Sequence, residues 1–262
     1  MKGILPCLAA SSLPVGHAFF TREGGVSAPP YETLNAGWNT ADHPDALAEN
    51  WRRYAAHMRV LPEALLSMEQ VHGVHVITVD DEMPLWSVAE RPQADALVSA
   101  RSDVVLTVMT ADCAPVLFSS HDGRVVGAAH AGWRGAVGGV LEATVQNMRA
   151  LGAGRITAVI GPSIAQSSYE IGEEMKTEII AQHPQAERFF VPAVRAHHVF
   201  FDLPGFCAWR LQLCADVQVE NMGVDTRDDA RFFSHRQACL AGDARTGRQL
   251  SAIRAFSRGM SE

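Results

Sequence analysis

Residues 115 to 148 constrain the fold more than any other part of this chain. Two apolar runs, 115–119 and 124–129, flank His121-Asp122-Gly123, and a helical pattern follows within ten residues. An Asp-Gly pair between apolar runs favours a tight hairpin turn, so the spacing predicts two antiparallel neighbouring strands. After them Val137, Val140, Leu141, Thr144, Val145 and Met148 mark one face at helical spacing, and Gly152 can end the helix. Further strands are expected over 17–22, 74–79, 103–109, 156–161, 199–202 and 249–256. Helices are expected over 45–58, about 173–183 and 204–217. Strands alternating with helices around an antiparallel hairpin point to the α/β class with a mixed rather than purely parallel sheet.

The predicted hairpin would bring together two segments of unusual composition, Thr110-Ala111-Asp112-Cys113 before its first strand and His130-Ala131-Gly132-Trp133-Arg134-Gly135 after its second. A third such segment is Gln70-Val71-His72-Gly73. Two imidazoles and a thiolate make three ligands for a borderline-soft cation, with a fourth position left for water or substrate, as in catalytic zinc sites. The spacing of His72, Cys113 and His130 is not that of a zinc finger. A second reading therefore stays open, in which the histidines are hydrogen-bonded core groups and Cys113 a small buried hydrophobe. The helix expected after His130 would turn free N–H groups toward the site, and Arg134 would join them as an anion cradle.

The formal charge of −7 comes without a basic stripe, which argues against a nucleic-acid partner. Five cysteines, at 7, 113, 207, 214 and 239, lack framework spacing and suit a reducing compartment. Cys207 and Cys214 are expected on one helix face, as core groups. The start, Met1 to Ala10, imitates a signal peptide, but Pro6 breaks an apolar run already too short for one. No stretch approaches the roughly 20 apolar residues of a membrane span, so a cytoplasmic protein with no membrane partner is expected. With no linker or repeat, residues 1–262 read as one domain. Nothing demands a partner subunit, so a monomer is expected.

Thr21-Arg22-Glu23-Gly24-Gly25-Val26-Ser27, the three segments above, Gly161-Pro162, Tyr169-Glu170, Phe232-Phe233-Ser234 and Thr246-Gly247-Arg248 together resemble the YfiH family along nearly the whole chain. The resemblance implies a layered α/β fold of mixed β-sheets with flanking helices, and zinc held by His72, Cys113 and His130. It also implies a purine nucleoside phosphorylase that converts adenosine, inosine or methylthioadenosine and phosphate to base and ribose 1-phosphate, with adenosine deaminase activity beside it. Asp112, Cys113 and Arg134 are the expected catalytic residues, with Asp112 or His75 moving protons. Arg22, Asn35, Gln70 and Arg236 are the expected substrate contacts, while Arg248 stays open between contact and structural roles. Three places depart from the family pattern: Ser167-Ser168, the segment from Leu34 to Asn39, and Ser234-His235-Arg236-Gln237 with the insertion after it.

Three alternatives compete. The family's polyphenol oxidase or laccase label implies copper, but none of the 11 histidines forms the His-x-His pair of a multicopper cluster. A metal-free cysteine hydrolase or amidase would use Cys113 as nucleophile and His130 as base, on a muropeptide-like substrate for example. A non-enzymatic binding module would leave the open coordination position unexplained.

Overall fold

The computed structural model of the chain describes residues 4–257. In chain order the elements begin with β1 (Cys7–Leu8), β2 (His17–Phe20), α1 (Pro44–Met58), β3 (Leu65–Leu66), β4 (Val76–Val79), β5 (Ala96–Ser99) and β6 (Val105–Thr110). The predicted hairpin is β7 (Ala114–Ser120) and β8 (Val126–Ala131), followed by α2 (Trp133–Gly138), α3 (Val140–Ala150), β9 (Ile156–Ile160) and β10 (Glu170–Gly172). The chain continues through α4 (Glu173–Gln182), β11 (Phe190–Pro192), β12 (His198–Phe201), α5 (Leu203–Gln212), β13 (Val217–Asn221), α6 (His235–Leu240) and β14 (Gln249–Ile253). Met1 to Gly3 of the signal-like start lie outside the described residues.

Two mixed sheets stack. One has the order β13-β9-β7-β8-β5-β4, the other β1-β2-β14-β6-β3, and a small third sheet is β10-β12-β11. Leu97, Leu117, Ala128 and Val159 of the six-stranded sheet meet Phe19, Leu106 and Val108 of the five-stranded one. The other face of the six-stranded sheet is covered by Leu141, Val145 and Met148 of α3 and Phe206 and Leu211 of α5. Trp51 and Tyr54 of α1 cover the outer face of the five-stranded sheet. The order is therefore helix, sheet, sheet, helix. Strands buried on both faces read as continuous apolar runs.

The hairpin forms with Pro115 opposite His130 and Ala114 opposite Ala131. Its turn is wider than a two-residue loop: the Gly123 N–H donates to Ser120 O, and Val125 O accepts from the Ser120 N–H. The Ser120 hydroxyl donates to Asp122 Oδ1. Gly123 sits at φ 68° against the Phe256 ring.

Other expectations need correction. The helix predicted through 148 is two helices, because Gly139, at φ 100°, ends α2 and starts α3. Its apolar face is continuous across the break. The helix predicted over 204–217 stops at Gln212, and β13 then pairs parallel with β9. Cys214 therefore lies beyond the helix, its Sγ 3.9 Å from Arg210 O, while Cys207 is buried in the core. Strand β5 was not expected because its apolar run, Ala96-Leu97-Val98, is too short to stand out from the loop before it. No helix among the described residues is long and apolar enough to cross a membrane.

Gly123→Ala should place a Cβ 2.4 Å from the Phe256 ring in a left-handed conformation. The expected loss is about 2 kcal/mol or more of unfolding free energy, read from urea denaturation.

Candidate metal centre

Strand polarity brings four chain segments to one end of the six-stranded sheet. β7 and β5 both run antiparallel to β8, and β4 runs parallel to β5. The starts of β4, β5 and β7 therefore share a level with the end of β8, where His130 lies. Cys113 directly precedes β7, and the loop carrying His72 leads into β4. Asp95 directly precedes β5 and meets His130 across the ladder, its carbonyl accepting from the His130 N–H at 2.7 Å.

The ligating atoms of His72, Cys113 and His130 all lie within 4.8 Å of one another, the one group of this kind among the described residues. Cys113 Sγ is 3.9 Å from His72 Nε2, and the imidazoles stand edge to face with centroids 4.7 Å apart. His130 is buried and His72 exposed, so the group opens to one side.

Asp95, fully buried, organises this group. Oδ1 lies 2.8 Å from His130 Nδ1 and accepts the His72 N–H at 3.0 Å. Oδ2 accepts from the N–H groups of Gly73 at 2.6 Å and Val71 at 3.2 Å. One carboxylate thus anchors the loop of one ligand and the ring of another, and leaves His130 Nε2 free for an ion. Burial works against the Asp95 charge, but His130 and the backbone donors hold its carboxyl below the ordinary value.

The backbone adopts uncommon conformations here. His72 has φ 59° and Asp112, beside Cys113, has φ 87°. Gly132 is needed for a different reason: a Cβ on it would lie 2.7 Å from His72 Cδ2 and 3.1 Å from Cys113 Sγ. A side chain would fill the space between the ligands. In the protein without metal, burial opposes the Cys113 thiolate, yet His130 and His72 pull the thiol down to about 6. Burial likewise opposes the His130 cation, yet Cys113 and Asp95 push it up to about 9. A soft sulfur and two imidazole nitrogens with an open side fit one borderline-soft ion and do not supply the ligands of a copper cluster.

A cavity of about 350 Å³ adjoins the cluster, lined in part by Gln70, Arg91, His235 and Arg248. That lies within the range of about 300–1,000 Å³ that accepts small molecules. Gln70 lines it, but its amide is tied in both directions to the Met109 backbone at 2.8 Å. Asp112 accepts from the Thr226 hydroxyl at 2.8 Å and the Arg236 N–H at 2.6 Å, and so caps α6. Arg236 donates to Glu170 O and stacks over Tyr169.

Asn35, expected to touch substrate, is fully buried. Its Oδ1 accepts from Gly37 and Arg248 and its Nδ2 donates to Thr40 and Asp42, so it positions the chain. Arg22 is turned to Glu32 and Phe233 in a separate depression. Arg134 is exposed, with its guanidinium over the Trp133 ring and outside the cavity lining. The helix expected after His130 begins as the six-residue α2, Trp133–Gly138. His75 is exposed and bound to Gln93 O. Sequence reasoning missed Asp95, whose one signal was a carboxylate opening an apolar run, and passed over His235.

Residues 16–255 match the family model described as multi-copper polyphenol oxidoreductase laccase. A purine nucleoside phosphorylase of Pseudomonas aeruginosa is 38% identical over 234 residues, 89% of this chain and 90% of that protein. The purine nucleoside phosphorylase YfiH of Escherichia coli is 38% identical over 237 residues, 89% of this chain and 90% of that one. The crystal structure of a Neisseria meningitidis protein superposes with a TM-score of 0.82 at 29% identity, covering 98% of this chain and all of the other.

Replacing Asp95 with Asn turns one accepting oxygen into an NH2 donor, so His130 Nδ1 and the Val71, His72 and Gly73 N–H groups can no longer all be satisfied, and metal affinity measured against a competing chelator should fall about 10–100-fold. Metal uptake should also release protons, because ligation needs a neutral His130 and a Cys113 thiolate. With His130 near 9 and Cys113 near 6, calorimetry at pH 7.5 in buffers of different ionisation enthalpy should show about one proton released per ion. The release should rise toward pH 6, where the thiol also carries its proton, and vanish well above pH 9.

Proposed function

The chain belongs to the multi-copper polyphenol oxidoreductase laccase family, and on that premise we propose that it is a zinc-dependent purine nucleoside phosphorylase with adenosine deaminase activity, monomeric and cytoplasmic. The observation that carries this reading is one open-sided His72, Cys113 and His130 cluster facing a nucleoside-sized cavity, in a chain whose curated relatives are named purine nucleoside phosphorylases. Five unpaired cysteines support a reducing compartment.

Zinc held by these three residues would supply Lewis acidity and lower the pKa of water beside the substrate. The chain's own groups do the rest. Asp95 orients His130, and Gln70 ties the His72 loop to β6. Asp112 holds the start of α6 against the site, and His235, on the first turn of that helix, lines the cavity. In phosphorolysis a phosphate oxygen forms a bond to C1′ of the ribose as the C1′–N9 bond breaks. The proton carried by phosphate ends on the purine, and His235, a cavity-lining imidazole that is not a metal ligand and whose Nε2 lies 3.5 Å from Cys239 Sγ, would relay it.

Two other readings have an observation each. The family's description favours copper-dependent phenol oxidation, although a single ligand group holds a single ion. The mutual effect of Cys113 and His130 in the metal-free protein, which lowers the thiol and raises the imidazole, favours a cysteine hydrolase, which a muropeptide-like amide would test.

Zinc-loaded protein incubated with adenosine should yield adenine and ribose 1-phosphate only when phosphate is present, and inosine with or without it, by chromatography. Cys113→Ala should lose both zinc and turnover. Turnover by the zinc-free variant, or adenosine left intact by the loaded protein, overturns the proposal. Phenol oxidation that follows copper content would favour the oxidase.

A further inference from the structure

One motif singled out in the sequence has no role in the chemistry above: Leu34-Asn35-Ala36-Gly37-Trp38-Asn39. In the structure it is a clamp on Arg248. The buried Asn35 Oδ1 accepts the Arg248 N–H at 2.9 Å, and the Ala36 N–H donates to Arg248 O at 2.9 Å. Gly37 lies so close that a Cβ there would be 2.9 Å from Arg248 Cγ. The guanidinium itself is pinned at one nitrogen, NH1 donating to Thr246 O at 3.0 Å and Gly247 O at 2.9 Å. Backbone, stem and one corner of the head are therefore fixed before any ligand arrives, which lowers the entropy lost on binding.

The remaining donors of Arg248 have no acceptor among the described residues, and the side chain has no carboxylate ion-pair partner there. It lines the same cavity as Cys113 and His130. Cys113, Asp112 and Tyr31 act on it electrostatically, yet burial outweighs them and holds its pKa below the ordinary guanidinium value. Cys113 belongs to the metal and Asp112 is committed to Thr226 and the Arg236 N–H. A half-buried cation left without a counter-charge beside a substrate cavity is poised for an anion. The other cation in the lining, Arg91, donates Nε to Val88 O and feels Glu69, which also lines the cavity. Neither Arg134 nor Arg236 has this combination, since Arg134 is exposed over Trp133 and Arg236 is spent on Glu170 O and Tyr169.

We propose that Arg248, held by Asn35 and Gly37, is the binding residue for the phosphate co-substrate in the cavity beside the metal ligands. The proposal rests on the phosphorylase reading and adds to it the residue that recognises the anion. A guanidinium fork matches two phosphate oxygens at once, a geometry that lysine lacks.

The test uses metal-loaded full-length protein, with inorganic phosphate as the probe in isothermal titration and nucleoside phosphorolysis followed in parallel. Arg248→Met should weaken phosphate binding and raise the KM for phosphate at least tenfold, with the KM for the nucleoside changed less than twofold. Arg248→Lys should fall between the two, and both variants are checked by thermal unfolding so that a folding defect in one leaves the other to decide. Unchanged phosphate affinity in Arg248→Met, or a loss seen only in Arg134→Ala, overturns the assignment. So does binding of a nucleoside 5′-monophosphate without binding of free phosphate. Phosphate bound through Arg248 with no nucleoside cleaved would sink the phosphorylase reading while the anion site stood. Phosphorolysis insensitive to Arg248 would do the reverse.

Discussion

The buried carboxylate of Asp95 is the interaction on which the rest of the site depends. It accepts from three consecutive backbone N–H groups, at Val71, His72 and Gly73, and from the ring of His130. Unpaired, such a charge in the core would cost several kcal/mol. Paired in this way, it fixes a loop that would otherwise be free to move, and the left-handed backbone of His72 with it. The four donors also explain why a fully buried acid stays ionised against its desolvation.

Around that anchor the protein makes space as well as contacts. Gly132 keeps a Cβ out of the gap between His72 and Cys113, and Gly37 does the same beside the stem of Arg248. Asp112 turns the chain through a positive φ just before Cys113 and uses its carboxylate to seat α6. Each device lies within a residue or two of a group that faces the cavity. The sheets behind them, buried on both faces, supply a rigid floor. A site held on strand ends by second contacts of this kind keeps its geometry better than one on free loops.

Much of the architecture was legible because it is local. The 115–131 hairpin, the apolar face from Val137 to Met148 and the helix at 44–58 follow from turn chemistry and periodicity. Where two short-range rules compete, the structure shows which prevails. Gly138-Gly139 outweighed an apolar stripe that runs unbroken across the two helices, and β5 carries an apolar run of only three residues. Asn35, a substrate contact by family resemblance, has its amide wholly occupied inside the protein.

By itself the sequence determined the class of the fold, the identity of three side chains able to share an ion and the family to which they belong. These are matters of residue type, spacing and motif. Only the tertiary structure decided that Asp95 orients His130, across 35 residues. It alone placed Arg248 rather than Arg134 in the cavity wall, held by Asn35 across 213 residues. The physical reason is the same in both cases. A buried charge is defined by the donors and acceptors that surround it, and strands distant in the chain bring those together only when the sheets have formed.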